Sequence, residues 1–257
     1  MSWLKRMPGQ NETGGRSRRP EQREVVLDCG DGLKVPLTVR RQPRAKRIIL
    51  KMVPGRAAAV VSVPPGVALA EGLAFAESRK EWIAARVREH GAPVAFAHGA
   101  QVPYLGTPHL IVHVPHRRGT VWREESAGGA RLCVAGAREH LARRLKDWMM
   151  KQAKEAFARS CRHYARAMGA TYTRISVRDQ TTRWGSCSSR GALNFSWRLI
   201  MAPPFVLDYI AAHEVAHLKE MNHSPRFWRL VASHCAHWRK AEQWLNAHGR
   251  SLHRYGA

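Results

Sequence analysis

Two histidines and a glutamate share one short stretch of the chain, His213-Glu214-Val215-Ala216-His217. Residues four apart in an α-helix lie about 40° apart around its axis, so His213 and His217 project from one face and can bind one metal ion. Glu214 points to the side of that pair, where a carboxylate can accept a proton from water instead of binding the metal. The stretch therefore predicts a metal site with a general base beside it.

A third ligand is expected just beyond this stretch. Catalytic zinc usually takes three protein ligands and keeps a fourth position for water or substrate. Asn222 tolerates the left-handed conformation of a helix stop, so we expect the helix to end near it. Ser224 and Pro225 then indicate an N-cap and the first residue of a new helix. His223 lies at this bend, where it can turn toward the two other imidazoles.

The sequence leaves two roles at this site open. His223 is the favoured third ligand, against a solvated turn histidine or a ligand role for His234 or His237. These last two lie among apolar residues, and we expect them to contribute to packing or to a polar surface. A donor to the oxyanion of the reaction is also expected. Tyr209 and Asn222 are the candidates for it.

Five stretches of sequence carry a family resemblance. They are H-E-V-A-H-L at 213–218, M-N-H-S-P-R-F-W at 221–228, T-R-W-G-S-C-S at 182–188, L-I-M-A-P-P at 199–204 and R-Q-P-R-A-K-R-I at 41–48. In this order they resemble the YgjP-like zinc metallopeptidases, relatives of the SprT-like and minigluzincin proteins. The resemblance implies a zinc-dependent peptidase in which His213, His217 and His223 hold Zn²⁺ and Glu214 is catalytic. It implies a protein or peptide substrate, and no particular one.

A strand beside the metal-binding helix offers a backbone edge on which an extended peptide can lie. By resemblance to zincins, we expect this edge near residues 192–197, and we predict Asn194 as a substrate-binding residue there. Arg183 is predicted to pair with a substrate or product carboxylate, with a structural ion pair as the alternative. Cys187 is either a buried small hydrophobe, which we favour, or a redox-sensitive thiol near the metal.

The charge balance of the 257 residues is strongly basic. Lys and Arg number 43 against 19 Asp and Glu, a formal net charge of +24. Such an excess favours polyanions, but basic residues predominate along the whole chain, so we expect only weak nucleic-acid binding. Two alternative functions stay open: a metal-dependent hydrolase of a non-peptide bond, and a basic, DNA-associated SprT-like protease. The third-ligand spacing of SprT-like proteins differs from this one, which weakens the latter.

The chain predicts an α+β protein: a flexible basic tail at 1–22, a β-rich subdomain at 23–135 and a zincin-like metallopeptidase domain at 136–257 with a small sheet and C-terminal helices. His109, His113 and His116 are expected at the surface. The local patterns predict further elements. They are a hairpin of strands 25–27 and 35–39, a hairpin of strands 47–52 and 59–63, a helix over 69–90, a helix over 137–168, and small-sheet strands near 175–177 and 193–199.

The five cysteines are scattered and form no C-x-x-C pair, so neither a disulfide framework nor a zinc knuckle is indicated. The first residues carry positive charge without an apolar run of signal-peptide length. No stretch of eighteen or so apolar residues predicts a transmembrane segment. We therefore expect a cytoplasmic protein.

Overall fold

The computed structural model describes residues 21–256 and has the predicted α+β class. The described chain divides into two compact units, residues 21–51 with 59–81 and residues 52–58 with 82–256. The predicted boundary at residue 135 falls inside the second unit and stays a prediction. The predicted tail, except for its last two residues, lies outside the described residues.

The first unit begins with the predicted hairpin. Strands β1 (Gln22–Asp28) and β2 (Lys34–Arg41) pair antiparallel. Asp31 lies in the turn at φ 52°, in the left-handed region, between two glycines that also have positive φ. Aspartate tolerates this conformation better than most residues, which explains why the turn forms here.

The rest of this unit completes a four-stranded sheet with a helix packed on it. Strands β3 (Ile49–Met52) and β4 (Ala59–Val63) are neighbours, as the second predicted hairpin requires, and β4 also pairs parallel with β2. Helix α1 (Leu69–Glu77) approaches the sheet closely at Gly72. A Cβ atom there would lie 2.6 Å from Cγ1 of Val63, so only glycine fits this contact.

The single helix predicted over 69–90 is wrong, because the helix breaks after α1 and resumes as α2 (Lys80–His90). Ser78 caps the end of α1, and its hydroxyl donates to the carbonyl of Phe75 at 2.8 Å. A serine hydroxyl that bonds the preceding turn competes with helix continuation. Trp82, near the start of α2, is 41% exposed.

A second four-stranded sheet precedes the long helix of the second unit. It is formed by β5 (Gln101–Tyr104), β6 (Thr107–His113), β7 (Val121–Ser126) and β8 (Gly129–Val134), in the order β5-β6-β8-β7. The prediction that His109 is a surface residue is wrong, since it is 1% exposed. It lies on the inward face of β6, where its ring meets the ring of Tyr104 edge-on.

The turn between β5 and β6 is joined by its backbone to the segment that leads into the metal-binding helix. Leu105, at φ 52°, donates its N–H to the carbonyl of Ile200 at 2.8 Å. Gly106 donates to the carbonyl of Met201 at 3.1 Å. A Cβ atom on Gly106 would lie 2.9 Å from Cα of Pro203, so the two backbones are in direct contact.

The long predicted helix is confirmed as α3 (Leu141–Ala167), preceded by one 3₁₀ turn. Gly169 follows it with φ 59°, as expected for a helix stop. The helix buries one apolar face against the core. The buried side chains of that face include Leu141, Leu145, Met149, Ala153, Phe157, Cys161 and Tyr164.

The small predicted sheet has three strands, β9 (Arg174–Arg178), β10 (Gly185–Cys187) and β11 (Ala192–Ser196). Strand β11 lies in the middle, parallel to β9 and antiparallel to β10. Helix α3 packs on this sheet through Phe157, whose ring stacks on that of Phe195 at 4.0 Å between centroids.

Three helices complete the second unit: α4 (Pro204–Ala216), α5 (Pro225–His234) and α6 (Trp238–His248). Helix α4 starts with proline at its first position, and most of its residues are buried. No helix in the described part of the chain is both long and apolar enough to span a lipid bilayer.

Candidate functional site

Helix α4 presents His213 and His217 on one face, with ring centroids 4.9 Å apart. The helix ends at Ala216, and the expected end near Asn222 is therefore wrong. The chain tightens here, because Leu218 and Lys219 donate their N–H groups to the carbonyls three residues back, Val215 and Ala216, each at 3.0 Å. This turn reverses the chain before the third predicted ligand.

His223 returns to the two helical histidines after this turn. Its Nε2 atom lies 3.0 Å from Nε2 of His213, and its ring centroid is 4.8 Å from that of His217. One ring nitrogen from each of the three histidines lies within 4.8 Å of the others. The structure thus brings together all three side chains that the sequence predicted as ligands.

Aromatic side chains from the start of α5 pack against these rings. Ser224 caps the helix, as predicted, by accepting the N–H of Phe227 on its hydroxyl at 3.3 Å. Phe227 is fully buried and contacts all three imidazoles, with centroids 4.5 to 4.9 Å apart. Trp228 stacks on the outer face of His223. The sequence pattern alone did not indicate this aromatic packing, although the two residues lie three and four positions after the cap.

Hydrogen bonds to the far ring nitrogens orient two of the histidines. Nδ1 of His217 lies 3.0 Å from the carbonyl of Glu220 and must carry the proton, because a carbonyl only accepts. Its Nε2 is then the nitrogen with a lone pair for a metal. Metal-binding histidines commonly donate their other N–H in this way.

Tyr209 plays the equivalent part for His213. Its hydroxyl lies 3.4 Å from Nδ1 of His213, opposite the Nε2 atom that faces His223. This places Tyr209 where it orients the ring, and its candidate role as the oxyanion donor stays a prediction. Its spacing of four residues before His213 is the signal that could have indicated the contact.

Two of the three histidines fit a metal ion in their protonation as well as their position. Burial, followed by the neighbouring His217 and His223, lowers the pKa of His213 to about 3. Burial also lowers the pKa of His217. Neutral imidazole is the form that binds a metal, and three such nitrogens are a donor set that zinc uses.

Glu214 is buried beside these histidines at 5% exposure. Burial raises its pKa to about 8, and the charge of Arg183 opposes this rise. The side chain lies against the backbone of β10 at Gly185, where a Cβ atom would be only 2.8 Å from Cδ of Glu214. The glycine therefore makes room for the carboxylate.

The predicted substrate edge at residues 192–197 is wrong. Those residues form β11, whose two sides are already paired with β9 and β10, so its backbone is not available. The edge strand on the side of Glu214 is β10, which contacts α4. With only three residues, β10 is too short to show an alternating pattern in the sequence.

Arg183 and Asn194, the predicted substrate-binding residues, line one open depression of about 480 Å³ next to this edge. Asn194 is opposite Ser186 of β10 in the sheet. Arg183 is exposed and forms no salt bridge within the described part of the chain. Neither side chain is among the metal-binding group.

Cys187, at the end of β10, is partly buried. Burial and then the charge of Glu214 raise the pKa of its thiol to about 11. Because the thiolate is the form that reacts with oxidants, this environment favours the interpretation as a small hydrophobe over a redox-sensitive residue.

Comparison with known proteins identifies a family across most of the chain. The family model of the YgjP-like metallopeptidase domain matches residues 46–248. Among solved structures, the chain is similar to the metallopeptidase zymogen abylysin of Pyrococcus abyssi, at 19% identity and a TM-score of 0.31. That similarity covers 35% of this chain and 92% of the other. No curated protein matches the sequence significantly.

The converging imidazoles predict how metal content responds to substitution. His213→Ala, His217→Ala or His223→Ala should each lose about one equivalent of zinc, since each removes one of three ligands. Elemental analysis of the purified, dialysed proteins measures this loss, with circular dichroism to confirm folding. His234→Ala is the control, because its ring nitrogens lie near the carbonyls of Leu230 and Ala167. Unchanged zinc in His223→Ala would refute its role as a ligand.

The contact between Gly185 and Glu214 predicts an energetic coupling. Gly185→Ala should lower the free energy of unfolding by about 1–3 kcal/mol through overpacking. The same change made in Glu214→Ala should cost much less, because the colliding side chain is gone. Urea unfolding in the presence of a chelator measures both. Gly128→Ala, whose Cβ would meet nothing closer than 3.6 Å, is the matched control. An equal loss in both backgrounds would contradict the contact.

Proposed function

Because the chain belongs to the YgjP-like metallopeptidase family, and is thus a metal-dependent peptidase, we propose that it hydrolyses peptide bonds with zinc as its metal and Glu214 as its general base. The proposal rests on one observation: three imidazoles converge beside a single buried carboxylate. His213, His217 and His223 are the proposed ligands. An additional protein ligand is not required, since catalytic zinc sites keep a position open.

The metal fits these residues because neutral nitrogen donors with oriented rings are what a zinc site requires. When bound, zinc would supply a Lewis acid that polarises a carbonyl and lowers the pKa of water to about 7. Tyr209 and the carbonyl of Glu220 would hold the His213 and His217 rings in place. Phe227 would exclude water from the inner side of the three rings.

Glu214 moves the proton in this proposal. Its carboxylate accepts a proton from the attacking water and later delivers it to the leaving amine. A base works best when its pKa is close to the working pH, and burial moves the pKa of Glu214 in that direction. The charge of Arg183 opposes this rise and favours the ionised carboxylate.

The substrate backbone would lie along β10, the edge strand next to Glu214. Adding an extended peptide to a sheet edge aligns the main chain by hydrogen bonds that are independent of side chains. Arg183 and Asn194 line the adjoining depression and are proposed to contact the substrate there. Arg183 suits a substrate or product carboxylate, since it has no salt-bridge partner within the described residues.

A cytoplasmic location is proposed on the state of the cysteines. All five lie within the described residues and none forms a disulfide. Most are buried side chains of the core. A protein whose thiols stay reduced is typical of a reducing compartment.

The role of Glu214 predicts a loss of catalysis without a loss of metal. Glu214→Gln keeps the size of the side chain but cannot accept the proton, so turnover should fall roughly a hundredfold or more. Zinc content and folding should be retained. Proteomic comparison of peptides produced from cell lysate by the unchanged protein and by this variant identifies cleavage sites and measures the loss.

The exposed carboxylate of Glu155 on α3 provides the matched control, and Glu155→Gln should cleave normally. Full activity of Glu214→Gln on a substrate cleaved by the unchanged protein would rule out Glu214 as the base. Cleavage of a non-peptide ester or amide in place of any peptide would favour the alternative hydrolase.

The net charge predicts weak and sequence-independent binding to DNA. Affinity should fall steeply with salt, because binding releases counterions. Replacing Arg143 and Lys151, two exposed cations on α3, with alanine should reduce it modestly. Arg144 is a poorer choice because its guanidinium donates to the carbonyl of Ala135. Fluorescence anisotropy over a salt series measures this. Tight binding at physiological salt, or proteolysis strongly stimulated by DNA, would favour a DNA-associated protease.

A further inference from the structure

We propose that Asp208, Cys235 and His237 form a second zinc site, separate from the three histidines. These side chains come from α4 and from the turn between α5 and α6. The carboxylate, the thiol sulfur and a ring nitrogen lie within 4.8 Å of one another. This role differs from the one expected from the sequence, in which His237 contributes to packing or to a polar surface.

The separations of these atoms match the edges of a zinc coordination tetrahedron. Sγ of Cys235 is 3.4 Å from Nε2 of His237, and that nitrogen is 3.3 Å from Oδ2 of Asp208. Zinc bonds of about 2.3 Å to sulfur and about 2.0–2.1 Å to nitrogen or oxygen place tetrahedral neighbours roughly 3.3–3.6 Å apart. Two of the three separations therefore match this geometry, and the sulfur and the carboxylate lie within 4.8 Å of each other.

Hydrogen bonding alone explains this arrangement less well. Nε2 of His237 faces both Sγ and Oδ2, yet it carries at most one hydrogen and can donate well to one of them. The contact with Oδ2, at 3.3 Å, is longer than normal for a charge-assisted hydrogen bond. A cation shared by all three atoms would use each of them fully.

Helix α3 supports the carboxylate from the other side. Ser160 donates its hydroxyl to Oδ1 of Asp208 at 2.9 Å, and Tyr164 donates to Oδ2 at 2.5 Å. Such supporting hydrogen bonds orient the ligands of metal sites and tune their affinity.

The three residues differ in exposure, and the difference leaves a route by which a metal ion could enter. Cys235 is 1% exposed, whereas the side chains of His237 and Asp208 are 36% and 30% exposed. An ion could enter past the histidine and carboxylate and reach the buried sulfur, displacing the thiol proton as it binds. Thiolate, imidazole and carboxylate together are a donor set that zinc accepts.

The second site is distinct from the first by its place on α4. Asp208 precedes His213 by five residues, which is about 7.5 Å along the helix and roughly 140° around it. Ions in two-metal catalytic sites lie about 3.5–4 Å apart, so the two sites do not form such a pair. The proposed ion would instead tie α4 to α3 and to the α5–α6 turn.

Cobalt substitution tests the proposal on the full chain. A cysteine thiolate bound to Co²⁺ gives a near-ultraviolet charge-transfer band, which the three histidines cannot give. We expect the metal-free protein to take up about two equivalents of Co²⁺ and to show this band. Cys235→Ser should abolish the band and leave about one equivalent, and His237→Ala should lose the same equivalent.

Three controls separate this site from its surroundings. Cys187→Ser should keep the band, which excludes the thiol near Glu214 as its source. His234→Ala should keep it too, since that neighbouring histidine points elsewhere. His223→Ala should lose the other equivalent and keep the band, so the outcome does not depend on the proposed peptidase chemistry.

Two results would overturn the proposal: a single equivalent of Co²⁺ without a thiolate band in the unchanged protein, or a band that survives in Cys235→Ser. If the buried Cys235→Ser fails to fold, His237→Ala decides, because its side chain is partly exposed and tolerates truncation. Asp208→Asn, of nearly the same size, gives a further check. It should weaken uptake at this site by removing one charged ligand.

Discussion

The site depends on the contact between α4 and the edge strand β10, where Gly185 has no side chain to keep Glu214 away from the strand backbone. Glu214 occupies the space that a Cβ atom of Gly185 would need. A buried carboxylate is costly unless its surroundings are fixed, and here the strand fixes them from one side. Because His213 and His217 flank Glu214 on the same helix, anything that moved β10 away would disturb all three residues together.

The remaining packing holds this contact in place. Phe157 of α3 stacks on Phe195 of β11, which keeps the small sheet against the long helix. On the opposite side of α4, the Ser224 cap fixes Phe227 beneath the imidazoles. Hydrogen bonds also orient the histidines, since Tyr209 contacts a ring nitrogen of His213 and the Glu220 carbonyl contacts one of His217. The positions of the three histidines, and the lowered pKa of His213 and His217, thus follow from the fold.

Local patterns predicted the local features of the site well. The spacing of His213 and His217, the Ser224 cap and the Gly30-Asp31-Gly32 turn each depend on residues close in sequence. The failures involve contacts between distant residues. Strand β11 is central because β9 and β10 pair with it from both sides, which a single strand pattern does not reveal. The inward orientation of His109 likewise depends on the register of its sheet. The break at Ser78 is a different case, because it depends on a hydroxyl that bonds the nearby carbonyl of Phe75.

The hairpin turn at Leu105 and Gly106 has a consequence for how far the chemistry can be transplanted. Its amide N–H groups donate hydrogen bonds to the carbonyls of Ile200 and Met201 just before α4 begins, and its backbone contacts Pro203. A chain shortened to the metal-binding elements would leave those carbonyls without hydrogen-bond donors. The start of α4 would also lose the backbone on which it packs. The smallest portable version of this centre therefore includes a sheet that contributes no ligand and no base.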